Sequence, residues 1–305
     1  MDYEKIFRRT GQQLYQAPWL IGLGGLVVVW SEMVDFGIQW WLDRQGWDSW
    51  AFAQQDELAI AEAIERNTPL IVEQLPTFFS WFIAYLLFLW LWGTVLDAGG
   101  IQAVGRQLEG EKVTAWGAVR AGWGLMRRFI AVDTILFFPL FLIWLGLLLL
   151  PSLGMIWLGV QAGDRVITGE VIGLVLGSAL LSVCCLLCIM VPVGIGTLLV
   201  RIIALRAVVI DGLGVWACLR HVRVVLSQRW VDWLVIGLIL AGLRWGIRVG
   251  LGLVVDPAVG WGLNMGGWGL GVSGLFLLVS VGVKAVWHAF SLTIWTVVYA
   301  EIGRQ

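Results

Sequence analysis

The chain has 305 residues, of which 59% are hydrophobic and 13% charged. An ordinary soluble domain carries roughly a quarter charged residues, so this composition excludes that class. The net charge is -1 and the basic residues are scattered along the chain, which excludes a nucleic-acid partner because no domain concentrates positive charge.

The first residues, MDYEKIFRRTGQQLYQ, form a charged, amphipathic lead-in over 1–17. They lack the short apolar core and small-residue cleavage site of a signal peptide, so the expectation is a chain retained whole. Six apolar stretches then follow that are long enough to cross a bilayer, which takes roughly 20 residues at 1.5 Å each. They run from Pro18 to Leu42, Phe78 to Leu96, Phe129 to Leu150, Val171 to Val200, Trp230 to Val254 and Trp268 to Tyr299. The fold class expected is therefore all-α, a single membrane domain over 1–305 with about six transmembrane helices. Pro192 is expected to kink the fourth span.

The segments between the spans set the orientation. With the N-terminus inside, the inner segments hold Lys5, Arg8, Arg9, Arg106, Lys112, Arg120, Arg127, Arg128, Arg201, Arg206, Arg220, Arg223, Arg229 and Arg304; the outer ones hold only Arg44, Arg66 and Arg165. Positive charge is retained on the cytoplasmic side, so both termini are expected there, in a membrane of the bacterial cytoplasmic type. Several of the 21 tryptophans, including Trp19, Trp40, Trp41, Trp230, Trp261 and Trp268, fall at span ends, where the indole ring favours the headgroup region. The outer segment 43–75 is acidic, with Asp43, Asp48, Asp56, Glu57, Glu62, Glu65 and Glu73 against Arg44 and Arg66. Its DELAIAEAIERN stretch reads as a short helix in a solvated cap; docking of a basic partner is the functional alternative.

Two inner segments, 105–128 and 205–229, are alike. The first reads GRQLEGEKVTAWGAVRAGWGLMRRF and the second LRAVVIDGLGVWACLRHVRVVLSQR, so Arg106, Trp116 and Arg120 match Arg206, Trp216 and Arg220. On a helix Trp116, Val119, Trp123 and Met126 make one stripe with Arg120 and Arg127 beside it. Such a helix suits the membrane interface, its apolar face in lipid and its arginines reaching for phosphates. Two interfacial amphipathic elbows are therefore expected, contacting lipid through Trp116, Trp123, Arg120 and Arg127 and through Trp216, Arg220 and Arg223. The offset suggests a parallel repeat.

An apolar helix, then AVVIDGLGVWACLRHVRVVLSQRW, then another apolar helix resembles the membrane domain found beside some bacterial glycerophosphoryl diester phosphodiesterases. The resemblance covers residues from about 78 to 300. It implies a multi-span module that is accessory to something else. The activity of such fusions belongs to a separate soluble barrel, for which this chain has no room, so no catalytic residue is carried over.

Polar residues within spans are the remaining candidates, because they are expensive in lipid. Arg244 and Arg248 lie one turn apart in the fifth span, opposite the face of Gly242, Gly246 and Gly250, whose spacing allows close approach of another helix. That glycine face is the expected contact with other membrane subunits or with a second copy. Arg248 lies about 27 Å from Trp230, close to the outer interface, and Arg244 about 6 Å deeper. Glu32 and Asp35 in the first span are at a similar height and are the expected partners of Arg244. In the sixth span Lys284 and His288 are one turn apart, with Asp133 a candidate partner for Lys284. A hydrogen-bonded core histidine is the favoured reading of His288, against a proton relay or ligation of a pigment; no cofactor is named by the pattern. Cys184, Cys185 and Cys188 read as small packing residues, not as metal ligands, and no disulfide is expected.

There is no GxxxxGK[ST], HExxH or GxSxG, and the one CxxC, Cys185 to Cys188, lies in an apolar run with no second CxxC to pair with. The function expected is non-enzymatic: a scaffold, assembly factor or accessory subunit of a membrane complex. A transporter or channel for an anionic or lipid-like substrate, using Arg244, Arg248 and Lys284, is the alternative.

Overall fold

The computed structural model describes the backbone of residues 2–44, 57–162, 169–264 and 267–303, with side chains described over 2–30, 32–33, 80–143, 145–146, 188, 191–255, 257–258 and 271–303. Among the described residues every element is helical. In chain order these are α1 (Tyr3–Gln16), α2 (Trp19–Arg44), α3 (Glu57–Leu108), α4 (Ala115–Ala162), α5 (Gly169–Ile210), α6 (Val215–Asn264) and α7 (Gly267–Val298), ending in a π-helical turn over Tyr299–Gly303. The long apolar runs favour helix because it satisfies every backbone group within the segment. Among the described residues four helical stretches are long and apolar enough to cross a membrane: Ser80–Leu108, Val191–Ile210, Val215–Val255 and Gly271–Gly303. Trp19–Trp30 is a shorter apolar helix.

Local signals mark the helix ends. Asp2 caps α1, its Oδ1 accepting from the Lys5 N–H at 3.0 Å. Pro18 stands immediately before α2, where its missing N–H is not needed. After α3, Gly110 takes φ +87°, and the N–H groups of Gly110 and Glu111 donate back to Gln107 O and Arg106 O. This is the Schellman arrangement, which needs a left-handed residue that glycine supplies without a Cβ clash. Thr114 then caps α4, its Oγ1 accepting from the Gly117 N–H at 3.2 Å.

The second of the two similar segments repeats the plan. α5 ends before Gly212 at φ +67°, the Leu213 N–H donates to Ala207 O, and α6 starts at Val215 as α4 starts at Ala115. Over 111–124 and 211–224 the succession of exposed, half-buried and buried positions is the same at every position. The buried faces carry Ala118 and Gly122 in one and Cys218 and Val222 in the other, while Trp116 and Trp216 are exposed.

The two segments leave their turns differently. α6 comprises two helical stretches meeting at a kink at Arg229 (φ -140°, ψ 34°), where the sequence separates elbow from span. α4 runs on from Ala115 to Ala162 without such a break. α5 stays helical through Pro192, and a break in backbone angles falls at Arg229. One expectation is corrected here. The DELAIAEAIERN stretch from Glu57 is no separate short helix but the start of α3, continuous to Leu108. Residues 45–56 of the acidic outer segment lie outside the described residues, as do the side chains of Cys184 and Cys185.

The chain divides into two compact units, one of residues 1–126 and 238–300 and the other of 127–237 and 301–305. In the first, α7 packs chiefly on α2 and also on α1 and α3. A Cβ on Gly24 would sit 2.6 Å from Ala285 O, so α2 and α7 approach at a distance that only glycine permits. Gly99 and Gly122 do the same for α3 and α4, against Ala118 O and Val95 O. The amphipathic α1 turns Ile6, Thr10 and Gln13 inward, and Phe7 meets Phe290 of α7 at 6.1 Å between ring centroids. In the second unit Phe129, Val132, Ile203, Ala204, Val208, Cys218, Val222 and Trp233 are buried, and His221 Nε2 lies 3.1 Å from Gly303 O.

Candidate functional site

The polar groups of the first unit gather along one face of α7. Ser280, Lys284 and His288 recur every four residues, and residues four apart lie one above the other on a helix. The close α2–α7 approach at Gly24 and Ala285 brings the Glu32 side chain within reach of Lys284. Lys284 Nζ is 2.5 Å from Glu32 Oε1, and Ser280 Oγ donates to Glu32 Oε2 at 3.5 Å. One turn further along α7, His288 Nε2 is 3.1 Å from Asp97 Oδ1 of α3. Arg244 of α6 lies within electrostatic reach of His288. Beside the ladder, Tyr85 donates its hydroxyl proton to Trp30 O.

The second unit has its own ion pair. The Arg201 guanidinium donates through Nε and Nη2 to Asp133 Oδ1 and Oδ2 at 2.7 and 2.9 Å, and its Cζ lies 5.9 Å from the Phe137 ring centroid. Asp133 is 3% exposed. Two parallel charge-assisted bonds are the strongest geometry such a pair adopts.

These contacts redraw the pairings expected from sequence. Lys284 is joined to Glu32, not to Asp133, and Asp133 is joined to Arg201. Glu32 is consequently not the partner of Arg244. The Asp35 side chain lies outside the described residues. Asp97 was missed because an apolar run ending at Leu96 leaves it just outside the span, whereas α3 continues to Leu108, about 16 Å further. The signal that would have found it is the run TVLDAGGIQAVG, which keeps an apolar helical face on both sides of the aspartate.

Arg244 and Arg248 are exposed and make no salt bridge among the described residues. Gly242, Gly246 and Gly250 meet nothing within 4 Å. On α4, Trp116, Arg120, Trp123 and Arg127 are all exposed, as are Trp216, Arg220 and Arg223 on α6.

The ladder can hold opposite charges together within an apolar bundle. It offers a substrate little room. The cavity beside His288, walled by Leu20, Leu23, Gly24, Leu96 and Leu292, has about 10 Å³, at the lower limit for one water molecule. Among the described residues no group of three or more His, Cys, Asp or Glu side chains stands close enough to hold a metal ion. No family model, curated protein or solved structure matches this chain.

Proposed function

We propose that this is an integral membrane protein with six spans and both termini on the cytoplasmic side, acting as a non-catalytic scaffold, assembly factor or accessory subunit of a membrane complex. The observation that carries this reading is a contrast between the inner helices and α6. Lys284 pairs with Glu32 and His288 with Asp97 between the helices, and the cavity beside His288 is no larger than a water. α6 exposes Leu238, Leu243, Trp245 and Leu253 along with Arg244 and Arg248. An arginine in hydrocarbon calls for a partner or a route to the interface, and an open GxxxGxxxG face suits a closely packed helix. The matched turns and burial of the two elbow segments support their reading as a repeat that grips the inner leaflet. The likeness to an accessory membrane domain points the same way.

The test is a purification in mild detergent, read on native gels with identification of stoichiometric partners. The expected result is a defined complex, either with other subunits or with a second copy, that dissociates in Gly246→Leu while the chain stays folded. A protein that migrates as a monomer and moves an anionic solute unaided in liposomes would sink the proposal. That outcome would favour the second reading, a transporter for an anionic or lipid-like substrate, for which the unbridged Arg244 and Arg248 speak.

A further inference from the structure

We infer that the turn between α3 and α4 forms a binding cleft for a phosphate ester, carried either by the headgroup of an anionic phospholipid or by a soluble glycerol phosphate. The cleft has about 180 Å³ and lies between the last turns of α3 and the first turns of α4. Its lining includes Gln102 and Arg106 from α3, Lys112 from the turn, and Thr114, Gly117 and Ala121 from α4. Drug-sized ligands occupy roughly 300–1,000 Å³, so this space suits a headgroup and not an acyl chain.

Two cations line it, and both can be engaged. Lys112 makes no ion pair among the described residues. Arg106 lies 3.8 Å from Glu111, with side-chain exposures of 54% and 60%. An exposed pair at that distance contributes little, whereas a guanidinium takes phosphate oxygens in a two-pronged, charge-assisted geometry. Glu109 and Glu111 flank the turn, but neither lines the cleft. The floor adds a buried acceptor: Gln102 Oε1 has no hydrogen-bond donor, an unfavourable state that a small rotation of the amide towards a headgroup hydroxyl would relieve. The small residues Gly117, Ala118 and Ala121 keep the α4 wall of the cleft low. Trp116 and Trp123 project from the other side of the same helix, 76% and 55% exposed, as suits a helix lying at headgroup level.

The second elbow provides an internal comparison. There the matching positions are Ile202, Arg206, Gly212, Gly214, Ala217 and His221. The second cation is replaced by glycine, and Arg206 is 5% exposed and donates Nη1 to Ile202 O at 2.9 Å. The same local fold is therefore present without the cationic lining, so the cleft chemistry belongs to the first segment alone. It does not depend on the scaffold role proposed above.

Native mass spectrometry of the full chain in detergent micelles tests this directly, titrating phosphatidylglycerol against phosphatidylcholine with the same acyl chains. The wild-type protein is expected to retain one phosphatidylglycerol preferentially. Arg106→Gln and Lys112→Gln should each weaken that binding about ten-fold, as should Ala121→Leu, which fills the cleft without touching its charge. Arg8→Gln, an exposed arginine of α1 outside the cleft, should leave it unchanged. Glycerol phosphate added alone separates the two carriers. Binding as tight as the lipid's identifies the soluble ester, and binding that needs the acyl chains identifies the lipid. The inference is overturned if phosphatidylcholine binds equally well, or if the Arg106, Lys112 and Ala121 variants all bind like the wild type. A missing partner complex would leave these titrations unaffected, so the two proposals fail separately.

Discussion

Lys284 and Glu32 illustrate how a charged residue is tolerated between apolar helices. Each would be costly alone, and their contact at 2.5 Å makes the pair neutral to its surroundings. Removing one member strands the other, a loss of about 3–5 kcal/mol for a fully buried pair. Lys284 is 38% exposed and Glu32 12%, so solvent or headgroups recover part of that cost. Lys284→Met is therefore expected to destabilise the protein by about 2 kcal/mol, and Lys284→Met combined with Glu32→Met should regain most of it. Thermal unfolding of both variants in one detergent checks this. A double variant no more stable than the single one would mean that the pair does not act as a unit. The residue types at this site were legible in the sequence, since Glu32, Lys284 and His288 interrupt apolar runs. Their pairing was not, because it depends on which helices are neighbours. Periodicity locates a side chain on its own helix and at its own height, but it does not say that α2 lies against α7.

At the scale of elements, glycines serve different ends. Gly24, Gly99 and Gly122 sit where a Cβ would strike the backbone of a neighbouring helix, whereas Gly242, Gly246 and Gly250 face open space. The sequence signalled the second set through its regular fourfold spacing, yet the first set holds the fold together. Gly99 and Gly122 are on different helices, so no single-helix pattern reveals them. Substituting Gly122→Leu forces α3 and α4 apart at Val95 and should cost about 3 kcal/mol or prevent folding, as overpacking does. Gly246→Leu should leave the melting temperature within about a degree or two, since surface substitutions away from packed features are nearly neutral. Circular dichroism melts of the two variants side by side provide the measurement, and equal destabilisation would contradict the assignment of contacts. The boundary at Arg229 was legible for a related reason. There the amphipathic pattern of 215–228 gives way to a continuous apolar run, and the backbone departs from helix at the same place.

At the scale of the whole molecule, the number of crossings decides which faces the two elbows share. α4 and α5 contain 48 and 42 residues, lengths of about 72 and 63 Å at 1.5 Å per residue. Each exceeds the hydrocarbon thickness of about 30 Å, so each is able to cross fully. If both cross, two passages separate Trp116 from Trp216, and the two tryptophans emerge on the same face. If only the four stretches Ser80–Leu108, Val191–Ile210, Val215–Val255 and Gly271–Gly303 cross, a single passage separates them and they emerge on opposite faces. Trp116 and Trp216 are both well exposed, so Trp116→Cys and Trp216→Cys are accessible probes with little expected effect on packing. Labelled with a membrane-impermeant thiol reagent in right-side-out and inverted vesicles, both are expected to react only from the cytoplasmic side. Cys188 and Cys218 are free thiols, so the native cysteines are first replaced by alanine or serine. Opposite-face labelling would remove the six-span topology. The repeat would then place its elbows on two different leaflets, and the excess of inner arginines would lose its meaning as an orientation signal.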